Sequence, residues 1–406
     1  MAIIFVNRFF YPDHSATSQL LTDLTRFLAG NGMQIHVVTG RQLYDDPSAQ
    51  LSAQEDLEGI SIRRVWTTRF GRLNLLGRLV DYFTFYLSAA LVLWKQVRAS
   101  DIVVAKTDPP LISVIIALIA QMRGAVHVNW IQDLFPEIGE ALRVKGLRPF
   151  DTLLRGLRNA SLRTARWNIV LGEGMARHLR EQGIGSDTIK VIHNWADGQE
   201  IAPIDSSQNM LREQWGLRHC FVVGYSGNIG RAHDFSTILE AADLLRHIST
   251  IRFLFIGSGA QLDWVKRETA QKRLDNVLFK PYQPRAHLRF SLTVPDVHLI
   301  TLNPVLEGLI VPSKFYGIAA AGRPILNIGD PDGEIARLIR TAKCGYTVPI
   351  SSALEAARVL QQLSSSKVQC RIMGKRARQL FQERFEKTDA CRVWQEMLVS
   401  NLHSAA

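Results

Sequence analysis

The chain has 406 residues, 47% hydrophobic and 21% charged, with 48 Lys and Arg against 37 Asp and Glu. At roughly 100–200 residues per domain, that length predicts two domains or three, and the apolar content excludes a disordered chain. The net charge of +11 leaves nucleic acid, an anionic membrane surface and small anions open as partners.

In chain order, Met1-Ala-Ile-Ile-Phe-Val-Asn7 is apolar from the start and lacks a basic flank. It reads as a first strand over Ala2–Asn7, not as a secretory leader. Leu20, Leu21, Leu24, Phe27 and Leu28 follow a helical period, with Ser15 or Ser18 as cap and Gly30 and Gly32 as stop. Strands are then expected at Gln34–Thr39, Ile60–Val65, Asp101–Lys106, Ala125–Ile131, Trp167–Gly172 and Ile189–His193. No uncharged apolar run approaches the roughly 20 residues of a spanning helix, and the longest, Leu111–Ala120, reads as a buried helix. The pattern restarts with strands at Cys220–Tyr225, Ile251–Gly257, Asn276–Lys280, Asp296–Thr301, Pro324–Ile328 and Gly345–Val348. Alternating strands and helices predict parallel sheets covered on both faces. The polar segment Asn194–Asn209 between the two patterns reads as a linker. After Ser351 the chain reads as helical, with a terminal helix over Phe381–Leu402.

Three segments could carry chemistry. Tyr225-Ser-Gly-Asn-Ile-Gly-Arg-Ala-His233 joins a strand to a helix. Gly227 and Gly230 would let backbone N–H groups approach an anion, and Arg231 and His233 could bond phosphate oxygens. A tight turn with solvated polar residues fits the same spacing. Leu302-Asn-Pro-Val-Leu-Glu-Gly-Leu-Ile-Val-Pro-Ser-Lys314 sets Glu307 and Lys314 beyond a strand end, where open α/β sheets hold ligands. A surface ion pair beside a close-packed helix also fits, as the lesser reading. Asp133, just past an apolar strand, faces either a cleft or the start of a helix. His127, His193 and His298 read as packed histidines, and no cluster has metal-ligand spacing. Cys220, Cys344, Cys370 and Cys391 form no framework, which suits a reducing compartment.

Residues 60–100 hold seven basic residues (Arg63, Arg64, Arg69, Arg72, Arg78, Lys95, Arg98) against Asp81 alone, mixed with seven aromatics. Residues 141–180 hold nine basic residues against two acids. A membrane-interface segment and a core helix with basic ends both fit.

Taken together, these motifs resemble the retaining glycosyltransferases of family 4. The likeness is strongest to bacterial enzymes of exopolysaccharide, O-antigen and colanic acid assembly. The carriers are Tyr11-Pro-Asp13, Ile131-Gln-Asp-Leu-Phe-Pro136, Ile192-His-Asn-Trp-Ala-Asp-Gly198, the glycine loop through Phe235, and Leu306-Glu-Gly-Leu-Ile-Val-Pro-Ser-Lys-Phe-Tyr-Gly317. The resemblance implies an α/β GT-B fold of two doubly wound Rossmann-like domains facing across a cleft. An acceptor domain would span 1–195 and a nucleotide-sugar domain 196–385, with 386–406 as a helix packing back on the first. It implies no metal and no cofactor, with a UDP- or GDP-linked sugar as co-substrate. By the same resemblance Asp133 and Glu307 are catalytic. Gly227, Asn228, Gly230, Arg231, His233, Gly257, Tyr282 and Lys314 meet the donor, and His14 and Ser15 the acceptor. The expected acceptor is a lipid-linked saccharide, met at an anionic inner membrane surface by a cytoplasmic, peripheral enzyme that binds no nucleic acid. A sugar-nucleotide epimerase or hydrolase, or a non-catalytic anion-binding relative, are the alternatives.

The sequence departs from the family at three points. Phe315 stands eight residues beyond Glu307, where a second glutamate is common; Gly317 takes that place on the other alignment. Asn228 and His233 replace a common Arg and Lys. Gln132 replaces a His beside Asp133.

Overall fold

The structure is a computed structural model and describes residues 1–71, 75–144 and 148–403. Arg72, counted above among the basic residues, lies outside them. The chain forms two compact units: Met1–His193 with the chain from Thr388, and Asn194–Lys387.

Unit 1 carries strands β1 (Ile3–Val6), β2 (Ile35–Gly40), β3 (Gln54–Leu57), β4 (Ile60–Val65), β5 (Ile102–Lys106), β6 (Val126–Trp130), β7 (Trp167–Val170) and β8 (Ile189–Val191). Its helices are α1 (Ala16–Gly30), α2 (Leu75–Gln96), α3 (Ile112–Arg123), α4 (Glu137–Ala141), α5 (Asp151–Thr164) and α6 (Glu173–Glu181). The sheet order is β3-β4-β2-β1-β5-β6-β7-β8. All neighbours are parallel except β3 and β4. The parallel strands are apolar runs because both of their faces are covered; Ile3 through Val6 are all buried. β3 was not foreseen. Its Gln-Glu-Asp-Leu sequence lies at the sheet edge, mostly exposed, and pairs back through Glu58-Gly59, both at positive φ, as a two-residue hairpin requires.

α2 answers the open question of residues 60–100. Asp81, Phe85, Ala89, Leu93 and Val97, four apart, are buried. The last four join the core with Ile116 of α3 and Val103 of β5. The opposite side is exposed, with Leu79 at 51%, Phe83 at 60% and Leu91 at 66%. By length and composition Leu76–Gln96 is apolar enough to cross a membrane, which counting uncharged runs had overlooked. α3 is likewise only half sunk: Ile116 is buried while Leu118 and Met122 face solvent.

Unit 2 carries α7 (Met210–Gln214), β9 (Phe221–Ser226), α8 (Ser236–Leu244), β10 (Ile251–Ile256), α9 (Leu262–Gln271), β11 (Val277–Lys280), α10 (Leu288–Thr293), β12 (Val297–Thr301), α11 (Lys314–Ala320), β13 (Ile325–Ile328), α12 (Glu334–Ala342), β14 (Gly345–Val348), α13 (Ala353–Ser364) and α14 (Lys367–Arg384). Its all-parallel sheet runs β11-β10-β9-β12-β13-β14. The segment read as a linker is packed into this unit. Trp195, Ile201 and Ile204 are buried. Arg378 donates to the carbonyls of Gly198 and Ile201, and Arg323 to that of Ile204.

The expected terminal helix is two helices. α14 ends at Arg384 and α15 (Lys387–His403) follows. Tertiary bonds break the run between them: Phe385 packs on Phe315 and Tyr316, and the Glu386 carboxylate accepts the Gly198 N–H. α15 belongs to unit 1, where Trp394 is fully buried with its ring 4.7 Å from Trp130.

Candidate functional site

An open parallel sheet binds ligands beyond its strand carboxyl ends, at the point where strand order reverses. In unit 2 that point lies between β9 and β12. The loops leaving these strands are the glycine loop and the Glu307–Lys314 segment, and the Asn303 N–H donates to the Ala232 carbonyl at 2.9 Å to tie them together.

Tyr225, at the end of β9, organises the site. Its ring is fully buried among Phe235 and Phe255. Its hydroxyl donates to the Asn228 carbonyl at 2.7 Å and accepts from Lys314 Nζ. That ammonium stands 3.7 Å from the ring centroid, a cation–π contact. Desolvation pushes Lys314 down to about 7. A cation held this way gains most when a phosphate arrives to share its charge.

Gly227 has φ +124, and a Cβ there would touch Lys314 Cε at 3.7 Å. Gly257 has φ +139, and a Cβ there would sit 2.2 Å from the Gly227 carbonyl and 3.4 Å from Tyr282. These glycines let the two loops close on one another beside the half-exposed Tyr282 ring.

The loop is not an open cradle along its length. The Gly227 N–H donates to the Ile256 carbonyl and the Ile229 N–H to that of Ser258. Among the described residues the N–H groups of Asn228 and Gly230 keep no such bond and remain for an anion. α8 begins only at Ser236, and the Asp234 carboxylate already accepts the Thr237 N–H of its first turn. The first turn of α8 therefore already carries a carboxylate cap of its own.

His233 turns Nδ1 to the Thr301 carbonyl, and burial, then the Lys314 charge, lowers its pKa to about 3. A neutral ring donating from Nδ1 leaves Nε2 as an acceptor, so His233 adds no charge. Arg231 is exposed, with no ion pair among the described residues. Glu307 follows the short turn after β12. Its carboxylate accepts the Glu334 N–H at 3.2 Å, at the start of α12, and a Cβ on Gly333 would meet it at 2.3 Å. Burial raises its pKa against that bond.

Sequence reasoning missed Gln261. Its side-chain amide donates to the Gly230 and His233 carbonyls, and its backbone N–H to that of Ile229, so it fixes the shape of the glycine loop. Nothing in a lone Gln thirty residues downstream signals this.

Unit 1 has its own reversal between β1 and β5, where the Arg8 N–H donates to the Asp108 carbonyl at 2.6 Å. Asp133 follows β6 nearby. Crowding by protein, then the Asp108 carboxylate, raises it to about 6, although the side chain is open to solvent. Asp13 accepts the Ser15 N–H and hydroxyl and the Tyr44 N–H, so the Ser15 hydroxyl is engaged; His14 is exposed. Lys106 is fully buried with Nζ over the Trp130 ring at 3.3 Å and no hydrogen-bond partner among the described residues. Desolvation puts it well below the usual lysine range, against pull from Asp23 and Asp108. Among the described residues no three His, Cys, Asp or Glu groups stand together as a metal cage.

Residues 17–195 match the glycosyl transferase 4-like domain, and residues 209–380 match glycosyl transferases group 1. The probable glycosyltransferase WbjE of Pseudomonas aeruginosa is 30% identical over 73% of this chain and 74% of its own. The chain belongs to the glycosyltransferases. The putative colanic acid biosynthesis glycosyl transferase WcaI of Escherichia coli (strain K12) is 23% identical to this transferase over 81% of the chain and 84% of its own. Anabaena HepE, solved in complex with UDP and glucose, matches the transferase with a TM-score of 0.73 at 16% identity, over 98% of this chain and 100% of that one. That likeness fixes the fold of the transferase as GT-B, with two Rossmann-like units, the class expected from its motifs.

Proposed function

We propose that the transferase moves a sugar, with retention of configuration, from a UDP- or GDP-linked donor to a lipid-linked saccharide in bacterial cell-surface polysaccharide assembly. One observation carries this reading: Lys314 is a desolvated cation held over Tyr225 beside the Gly227 backbone, at the strand-order reversal of unit 2. HepE, of the same fold, was solved with UDP and glucose, and WcaI is named for colanic acid biosynthesis.

As the C1–O bond of the donor breaks, negative charge grows on the leaving diphosphate. Lys314, Arg231 and the Asn228 and Gly230 N–H groups would stabilise it, so no metal or cofactor is needed. Tyr282 and Gly257 would flank the nucleoside, and Glu307 would hold the sugar hydroxyls. The acceptor hydroxyl attacks on the face the diphosphate leaves and gives it the proton. Asp133 orients the acceptor, with His14 and Ser15 at its edge. The setting is the cytoplasmic side of the inner membrane.

Thermal melts with UDP, GDP and their sugars test the reading. A ligand at about 100 times its Kd adds about 2.7 kcal/mol. No shift with any nucleotide refutes it. Full activity in EDTA and the same anomeric configuration in donor and product by NMR would support the metal-free and retaining parts; the opposite results would remove them.

A further inference from the structure

On one face of the unit 1 sheet, α2 packs beside α3 and α3 beside α5. Arg123 of α3 lies over the Trp94 ring of α2, and Ser113 of α3 meets Ser161 of α5 at 3.0 Å. Each helix sends apolar side chains outward: Phe83, Leu87, Leu91 and Trp94 from α2, Leu118 and Met122 from α3, Leu153 and Leu157 from α5, each at least 41% exposed. Scattered exposed apolar residues need no explanation, but apolar rows on three adjoining helices do.

Charge says what covers them. Arg69, Arg78, Lys95 and Arg98 are exposed at the two ends of the α2 row. The one acid of α2, Asp81, is 1% exposed and engaged with Arg8, Thr68 and the Phe70 N–H. α3 carries no acid. α5 carries Asp151, which is paired to Arg155. An apolar strip with cations at its ends and no free anion matches an anionic lipid interface. α2 cannot leave the protein to span the bilayer, because Phe85, Ala89, Leu93 and Val97 hold it to the sheet. An open groove of about 370 Å³, lined by Arg63, Trp66, Ser88 and Leu91 among others, adjoins the strip.

We infer that the α2–α3–α5 face of unit 1 docks on an anionic bilayer, with α2 lying in the plane of the interface. This deepens the proposed reaction, since a lipid-linked acceptor is met there, and rests on it for its purpose.

The test is flotation of the full chain with phosphatidylcholine vesicles, with and without phosphatidylglycerol. The protein should float with the anionic vesicles, and less in high salt. Arg78→Gln with Lys95→Gln should weaken partitioning about 25-fold, at about fivefold per charge. Phe83→Ser, Leu87→Ser and Leu91→Ser together should weaken it about a hundredfold. Circular dichroism and unchanged melting show that these surface variants fold. Failure to float, or flotation unaffected by the serine variant, overturns the proposal. So does a dimer in light scattering that the serine variant makes monomeric, since the occupant is then a second copy. A UDP shift without flotation sinks only the docking face; flotation without any nucleotide shift sinks only the reaction.

Discussion

Replacing Lys314 by Met should act in opposite directions on stability and on nucleotide binding. A lysine lowered from 10.5 to about 7 destabilises the folded protein by about 4 kcal/mol at pH 7, at about 1.4 kcal/mol per tenfold change in proton affinity. The unfolded chain holds the proton more tightly, so this penalty is full below pH 7 and fades as pH climbs toward 10.5. Partial solvent access and the lost bond to Tyr225 reduce the net gain for Lys314→Met to about 2 kcal/mol. For a unit the size of Asn194–Lys387, that raises Tm at pH 7 by about 4–8 °C, an advantage that shrinks by pH 9. The same change removes a charge-assisted contact of about 2 kcal/mol to the diphosphate, so UDP should bind about 30-fold more weakly. Scanning fluorimetry and titration calorimetry between pH 6 and pH 9 read both effects. A variant less stable than its parent at pH 7, with unchanged UDP affinity, would refute the idea that Lys314 is a strained cation awaiting phosphate.

Arg231→Ala should lower kcat about a hundredfold, through loss of about 2–3 kcal/mol of transition-state stabilisation; unchanged turnover removes Arg231 from the reaction. Asp133 ionises near pH 6, so activity that needs its carboxylate should rise through that pH. Asp133→Asn should flatten this limb in a pH–rate profile, and a limb that persists belongs to another group. Lys106→Met should keep or raise Tm and leave UDP binding intact, because the buried ammonium has no hydrogen-bond partner among the described residues. A Tm drop of more than about 4 °C would show instead that Asp23 and Asp108 make the ammonium a net stabiliser.

Most strands were legible as apolar runs, because a strand covered on both faces buries its side chains, and every expected strand formed. β3 was hidden because an edge hairpin can be polar: Gln54 to Asp56 face water. The break between α14 and α15 was unreadable because its cause, the Glu386–Gly198 bond, spans 188 residues. At the candidate site, the glycines and Lys314 announced themselves by spacing. Which N–H groups remain for an anion did not, since the Ile256 and Ser258 carbonyls that engage the Gly227 and Ile229 N–H groups come from β10 and the loop after it. The His233 tautomer depends on the Thr301 carbonyl, and the loop shape on Gln261; neither partner is near in sequence. The exposed row of α2 was half legible. Composition raised a membrane interface, but only the buried stripe from Asp81 to Val97 shows which side is left over.

The placement of α15 bears on the order in which the protein is made. Unit 2 is one uninterrupted stretch, complete once Lys387 has emerged, whereas unit 1 begins at the first residue and lacks its last helix until the chain from Thr388 arrives. The first half made on the ribosome is therefore not the first half finished. Until α15 delivers Trp394, the Trp130 ring lacks the aromatic partner it packs on. The sooner the inserted unit folds, the shorter the interval in which that bare tryptophan can meet other partners.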